Sequence, residues 1–353
     1  MTPHAPPVRV ALVGSGVLPI PPPGWGAVER AIDGLARGLR SLGADVTVVN
    51  RDGHGRSRDE YGFALRLGSY LGKGPWDVVH ASTPVVANRL AFSGRPYVYT
   101  SHSRHWFGTS GVSQRWGYWL ERRATARAAR AIALTPDVAR RIAEEVGPSV
   151  AGRTRVVPNG IDASRFKPNW AARTGHEILG VGAVHRRKRW DVAVRVVAGV
   201  EGARLTIVGP VQDPAYADEL RHLLGPDRLV LAGEVPDAAL AQRYAASDVF
   251  LLSSTSELMS IAVMEAMAAG LPVVGTRAIA SLVTEGTTGL TVDAGLPDQA
   301  LVSALRGPVS RLVSDPGLAR RMGEAGRSHA LAHWDWPAVA RQVLAVYGEV
   351  AGA

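Results

Sequence analysis

Val8 to Gly16 (VRVALVGSG) is a short apolar run closing on two glycines, and it reads as a buried parallel strand entering a loop. Pro19 to Gly26 (PIPPPGWG) excludes helix, because proline removes backbone donors and fixes its own φ. Beyond that loop Val28, Ala31, Ile32, Leu35, Leu39 and Leu42 recur at helical spacing, and Gly43 stops the helix. Asp45 to Val49 (DVTVV) then forms a second strand. A β-loop-α-β unit is therefore expected at the start of the chain, and it sets the class as α/β.

Units of the same kind continue through Trp76 to Ala81 (WDVVHA), Pro96 to Thr100 (PYVYT) and Ala129 to Leu134 (ARAIAL), each an apolar strand separated by a helix-length stretch. That alternation predicts a doubly wound parallel sheet. Arg155 to Asn159 (RVVPN) ends the series, and the polar stretch Asn169 to His176 suggests a linker, so a first domain is expected over 1–170. A second α/β domain is expected over 171–334, with strands at Glu177 to Val181, Arg204 to Val208, Leu229 to Ala232, Val249 to Leu252 and Pro272 to Gly275. Trp334 to Val350 (WDWPAVARQVLAVYGEV) has Val339, Val343, Leu344 and Tyr347 along one side, the pattern of an amphipathic helix.

The chain of 353 residues is long for one core and suits two. Hydrophobic residues at 46% and charged residues at 20% leave little room for extended disorder. No apolar run approaches the roughly 18 to 20 residues that a membrane-spanning helix needs. Met1 to Pro7 lacks the charged start and apolar stretch of a secretory signal, so a cytoplasmic location is expected. With no cysteine, thiolate nucleophiles, disulfides and Cys-ligated zinc are excluded. A formal charge of +9, almost wholly from arginine, favours anionic partners such as phosphates, nucleotides or acidic lipid surfaces. No helix-turn-helix, zinc-finger spacing or RNA-recognition motif accompanies that charge, and nucleic acid is not an expected partner.

The segment richest in chemistry is Ser253 to Gly270 (SSTSELMSIAVMEAMAAG). A strand ending at Leu252 enters a polar loop, Ser260 is placed to cap a helix, and Gly270 ends it. The free amides of Ser260, Ile261 and Ala262, with the helix dipole, suit a phosphate. Glu257 lies just before the helix and Glu265 inside it, so one carboxylate can reach the sugar side of a bound diphosphate and the other vicinal ribose hydroxyls. Spacing alone leaves a plainer account open, with Glu257 as a dipole partner and Glu265 as a solvated helix residue.

The segment resembles the E-x7-E signature of retaining glycosyltransferase family 4, a GT-B family that includes phosphatidylinositol mannosyltransferases and is similar to bacterial glycogen synthases. In the same order Pro23 to Glu29 (PGWGAVE) resembles the family's glycine-rich first loop, and Val157 to Phe166 (VPNGIDASRF) its interdomain segment. Gly180 to Asp191 (GVGAVHRRKRWD) resembles the second-domain opening, and Ala246 to Val249 (ASDV) the lead into the signature strand. The resemblance runs from about Val8 to Tyr347. It implies a GT-B fold of two Rossmann-like domains facing across a cleft, with a C-terminal helix, 335–353, returning to the first.

The resemblance also implies roles. Glu265 bonds the donor ribose, Glu257 contacts the transferred sugar, and Lys188 stabilises the diphosphate leaving group, where a positioned cation offsets developing charge. His102, in Thr100 to Ser103 (TSHS), orients a sugar hydroxyl, and Gly26 and Ala27 bring backbone amides to the diphosphate. Arg187, Val235, Met259, Ser260 and Ile261 complete the expected donor-binding set, with the base gripped near Gly233 to Val235. Transfer is expected to retain configuration by front-side substitution. No metal is expected, since no Asp-x-Asp pair follows a strand, and no cofactor beyond the nucleotide diphosphate sugar, a UDP-sugar ahead of a GDP-sugar. The acceptor is a hydroxyl of a small molecule, saccharide or lipid-linked compound.

Three departures from the family pattern stand out. Ala183 replaces an arginine, a charge that Arg186 or Arg187 is placed to supply. Leu258, Met259 and Ser260 replace a glycine-aromatic-glycine run, and Ala278 to Ser281 replaces a glycine-glycine-x-x-glutamate segment. Arg104 to Arg130 mixes tryptophan and arginine and suits peripheral contact with the anionic inner face of a membrane, a stacking acceptor site, or a helix whose Trp116 and Trp119 pack on the first domain. Rival readings are a catalytically silent nucleotide-binding member, a nucleotide-sugar epimerase or glycan phosphorylase of the same fold, and a nicotinamide-dependent oxidoreductase. Pro19 and the Asn50-Arg51 end of the second strand disqualify the last.

Overall fold

In the computed structural model the described residues are 7–23, 26–51, 57–72, 74–102 and 112–352, without the side chains of 57–58 and 112–114. The chain divides into two compact units, Met1–Gly160 with Trp336–Ala353, and Ile161–Asp335. The division lies before the polar stretch 169–176 because Ile161, Ala163 and Phe166 are already buried in the second unit's core. Both crossings are fixed within that unit: the Ile161 amide donates to the Trp334 carbonyl at 2.8 Å, and the Ala163 amide to Asp335 Oδ1 at 3.2 Å.

The first unit runs β1 (Arg9–Val13), α1 (Ala27–Ser41), β2 (Asp45–Val49), α2 (Ser57–Leu65), α3 (Leu67–Leu71), β3 (Val78–Ala81) and α4 (Pro84–Ser93). It continues with β4 (Val98–Ser101), α5 (Val112–Arg127), β5 (Arg130–Ala133), α6 (Pro136–Val146), α7 (Pro148–Ala151) and β6 (Thr154–Val156). The second unit holds β7 (Glu177–Val181), α8 (Trp190–Ala198), β8 (Arg204–Val208), α9 (Pro214–Leu224), β9 (Leu229–Gly233), α10 (Asp237–Ala246) and β10 (Val249–Leu252). It closes with α11 (Ile261–Ala268), β11 (Val273–Thr276), β12 (Gly289–Val292), α12 (Asp298–Ser314) and α13 (Pro316–His333), and α14 (Trp336–Ala351) then rejoins the first unit.

Each unit is built on a six-stranded parallel sheet, ordered β2-β1-β3-β4-β5-β6 and β12-β11-β10-β7-β8-β9. The second order is that of a dinucleotide-binding Rossmann sheet, in which strand order reverses beside the first strand. That reversal puts β7 next to β10, with Val249 opposite Ile178. β12 carries no apolar run that stands out in the sequence, and it pairs with β11 at the sheet edge.

In the first unit alternate strand residues face two helical layers. Val78 and Val98 pack with Ile32, Val339 and Tyr347 of α1 and α14, while Val79 and Tyr99 pack with Phe63 and Ala124 of α2 and α5. Burying such side chains contributes roughly 1.5–3 kcal/mol each. The Trp336 indole sits against Gly34 and Gly160, where an added Cβ would lie 2.0 Å and 2.4 Å from ring carbons. Alanine in a helix interior is ordinarily worth about 1 kcal/mol over glycine. Overpacking reverses that sign at Gly34: Gly34→Ala is expected to destabilise the chain by about 1–3 kcal/mol, read as a lower midpoint in urea, and a raised midpoint would contradict this packing.

Candidate functional site

Loops leaving the carboxyl ends of β7 and β10 diverge at the point where strand order reverses, the usual position of a ligand crevice in open α/β sheets. The β7 loop passes Gly182 and Ala183 and forms a single 3-10 turn over Arg186–Lys188. His185 caps this turn, its Nδ1 accepting from the Arg187 amide at 3.2 Å. Arg189 follows with φ of 52°, a left-handed conformation costly for a residue with a Cβ, and α8 begins directly after it. The buried Ser253 at the end of β10 holds the two loops together, its Oγ donating to the Arg189 carbonyl at 2.6 Å.

The basic run His185 to Arg189 is not a uniformly solvated face. Arg186 lies over the Tyr216 ring and pairs with Glu219 and Asp213, and Arg189 pairs with Asp298 at 2.8 Å and Asp191 at 3.4 Å. Arg187 is exposed and makes no ion pair among the described residues. Lys188 turns the other way: its Nζ donates to Glu257 Oε1 at 2.8 Å, with the side chains only 14% and 11% exposed. Gly182 leaves it room, since a Cβ there would lie 3.1 Å from Lys188 Cε. Gly209, at the end of β8, has φ of 149° and would drive a Cβ to 2.3 Å from the Gly182 carbonyl oxygen, so glycine is required at both positions. Ala183, where the family pattern has arginine, uses its carbonyl to accept from the buried Trp190 Nε1 at 2.9 Å.

Glu257 lies in the loop before α11. Ser260 has the backbone conformation of a helix N-cap, but its side chain makes no capping hydrogen bond, which corrects the expected side-chain cap. Ser260 is buried and Ile261 opens the helix, while Met259, Ile261 and Val235 are half-buried against the second unit's core. Glu265, on α11, accepts from the Tyr244 hydroxyl at 3.0 Å, and that hydroxyl also lies 3.2 Å from the Ala262 carbonyl. Tyr244 is fully buried between Phe166 and Phe250, and burial first, then Glu265, holds its hydroxyl well above the usual range. Sequence reasoning missed Tyr244, which reads as one more apolar position of α10. Glu265 is thus half-buried and oriented by a core hydroxyl.

In the first unit Gly26 caps α1 and Ala27 is its first residue; 24–25 of the glycine loop lie outside the described residues. Two residues that sequence reasoning left without a role hold the turn that follows β1. Glu29 accepts from Ser15 Oγ at 2.6 Å, and Asn50 Oδ1 accepts from the Gly16 amide at 2.9 Å. His102, just past β4, shares a cavity of about 30 Å³ with His80, Thr100, Asn159 and Trp336. The buried His80 holds Thr100 Oγ1 and the Tyr347 hydroxyl, both at 2.7 Å.

Trp116 and Trp119 do not pack on the first unit as one expectation had it. They stack on each other at 4.9 Å and are 52% and 48% exposed, because Leu120 and Ala124 form the buried side of α5. Residues 104–111 of that segment lie outside the described residues. Among the described residues no group of three or more acidic, histidine or cysteine side chains is arranged to hold a metal, and no helix is long and apolar enough to cross a membrane.

Comparison with known proteins agrees with this architecture. The family described as Glycosyltransferase Family 4 matches residues 26–165, and that described as Glycosyl transferases group 1 matches 175–309. A D-inositol 3-phosphate glycosyltransferase of Acidothermus cellulolyticus is 29% identical, the match covering 93% of this chain and 88% of the relative. Sucrose-phosphate synthase of Thermosynechococcus elongatus superposes with a TM-score of 0.82 at 20% identity, over 96% of this chain and 98% of that one. Anabaena HepE, solved in complex with UDP and glucose, superposes with a TM-score of 0.73 at 18% identity over the same shares.

Burial pushes His102 down to about 4, and burial with His102 nearby pushes His80 down to about 3, from an ordinary 6.5. Both imidazoles are therefore neutral at pH 7. A folded value below the unfolded one contributes stability that is complete above about 6.5 and is lost as pH falls through the folded values. Imidazole resonances of His80 and His102 are expected not to titrate between pH 8 and pH 5 in an NMR series, and titration of either near 6.5 would refute the assigned environments.

Proposed function

The chain belongs to glycosyltransferase family 4 and has the GT-B fold, and from that premise we propose that it moves a sugar from a UDP-sugar, or failing that a GDP-sugar, to an acceptor hydroxyl. The observation that carries this reading is the meeting of Lys188 and Glu257 at 2.8 Å where strand order reverses, with Glu265 held on the adjoining helix by Tyr244.

In this proposal the donor ribose bonds Glu265, whose carboxylate is fixed by a buried hydroxyl and so needs little reorganisation. Val235, Met259, Ser260 and Ile261 line the nucleotide, the α11 amides take phosphate oxygens, and Lys188 and Arg187 face the diphosphate. Uracil is favoured because Anabaena HepE, which shares the fold, is solved with UDP bound. Glu257 contacts the transferred sugar. The C1–O bond to the diphosphate breaks, the acceptor oxygen bonds C1 on the same face, and the acceptor proton passes to the departing phosphate oxygen, so configuration is retained. Lys188 offsets the charge on that oxygen, the role a divalent ion has elsewhere, and we assign no metal to the reaction.

Residues 161–335 are proposed as the nucleotide-sugar domain and the first unit as the acceptor side. There His102 orients a sugar hydroxyl as a neutral imidazole, and Gly26 and Ala27 offer amides to phosphate. A phosphorylated polyol or sugar is a fitting acceptor class for a chain with a net charge of +9, and the name of the Acidothermus relative includes an inositol phosphate. Lipid-linked and plain saccharide hydroxyls are the other acceptor classes proposed.

The test is a donor panel run in EDTA with calorimetric nucleotide binding. Glu265→Ala is expected to weaken UDP binding by roughly ten-fold or more, about 1.4 kcal/mol. Glu257→Ala is expected to lower turnover by about 100-fold while UDP still binds. Small and equal effects from both, or absolute dependence on added metal, would defeat the assignment.

A further inference from the structure

Lys188 is an unusual cation in this chain. It is one of three lysines among 40 basic residues, set within a run of arginines. Each described neighbour that pairs has its own carboxylates: Arg186 has Glu219 and Asp213, and Arg189 has Asp298 and Asp191. Glu257 is therefore not shared with the rest of the run and serves Lys188 alone among them. The pair is largely withdrawn from water, Gly182 leaves the space in which the lysine stem lies, and Ser253 fixes the backbone at Lys188 and Arg189. A cation so placed is costly without a partner, because its hydration is lost.

We propose that Glu257 is a resident stand-in for the donor's diphosphate, neutralising Lys188 in the free protein and displaced from it when the nucleotide arrives. This rests on the donor-site reading above and adds to it a competition between two anions for one ammonium group. The diphosphate carries more charge than one carboxylate and wins when present, and like-charge repulsion then expels Glu257 from the lysine. The carboxylate freed in this way becomes available to the sugar hydroxyls only after the diphosphate is seated. When the nucleoside diphosphate has left, the carboxylate returns to Lys188 and neutralises it again.

The consequence runs against the usual effect of altering a binding site. Neutralising Glu257 should strengthen nucleotide binding, since the competitor is gone and Lys188 lacks a partner. By calorimetry with UDP as the probe, Glu257→Gln and Glu257→Ala are each expected to bind about ten-fold tighter than the unaltered chain. The gain should come mainly from slower dissociation in stopped flow. It should vanish in a Lys188→Met background, and it should be absent with uridine, which has no diphosphate. If both Glu257 variants bind UDP no tighter while Glu265→Ala still weakens it, the competition is refuted and the donor-site reading stands. An unaltered chain that binds neither UDP nor GDP overturns both.

Discussion

At the carboxyl edge of the second sheet the chain leaves β7 toward β8 on one side and leaves β10 toward β11 on the other. Loops that diverge in this way cannot cover the gap between their strands, and the site depends on that constraint. Lys188 comes from one loop and Glu257 from the other, and they meet although they are far apart in sequence. Ser253 ties the loops, Gly182 and Gly209 allow their backbones to approach, and a left-handed Arg189 lets α8 start at once. These devices have local costs, which the burial of Trp190 and the β7–β10 strands offsets.

The fold was legible because its signals are local. An apolar run, a glycine or proline break and a helical repeat identify each β-loop-α step, and both β1–α1–β2 and β7–α8–β8 follow that pattern. The division of the chain was less legible. Polarity in 169–176 suggests a linker, yet Ile161 to Phe166 is anchored by contacts with Trp334 and Asp335 that no local pattern announces. The edge strand β12 is half-buried and short of apolar residues, so it escaped notice.

The site was legible in part for the same reason. Glu257 and Glu265 stand out in the sequence, and Lys188 stands out as a lysine among arginines. Their partners do not. Tyr244 looks like a core residue and is one, but its hydroxyl orients Glu265; Glu29 and Asn50 look like surface polar residues but hold Ser15 and Gly16 in the turn after β1. Ser260 shows the opposite error, since its capping type suggested a bond that its side chain does not make. Side chains acting through another residue leave no spacing rule, because the contact depends on elements distant in the chain.

The two glutamates therefore have distinct surroundings: one is held by a buried hydroxyl and the other by a cation that a diphosphate would claim. The most direct test of the account is a crystal structure with UDP bound. The account predicts the ribose hydroxyls on Glu265, the phosphates on Lys188 and the α11 amides, and Glu257 withdrawn from Lys188. A diphosphate bound away from the β7–β10 edge, with the Lys188–Glu257 pair intact, would contradict it.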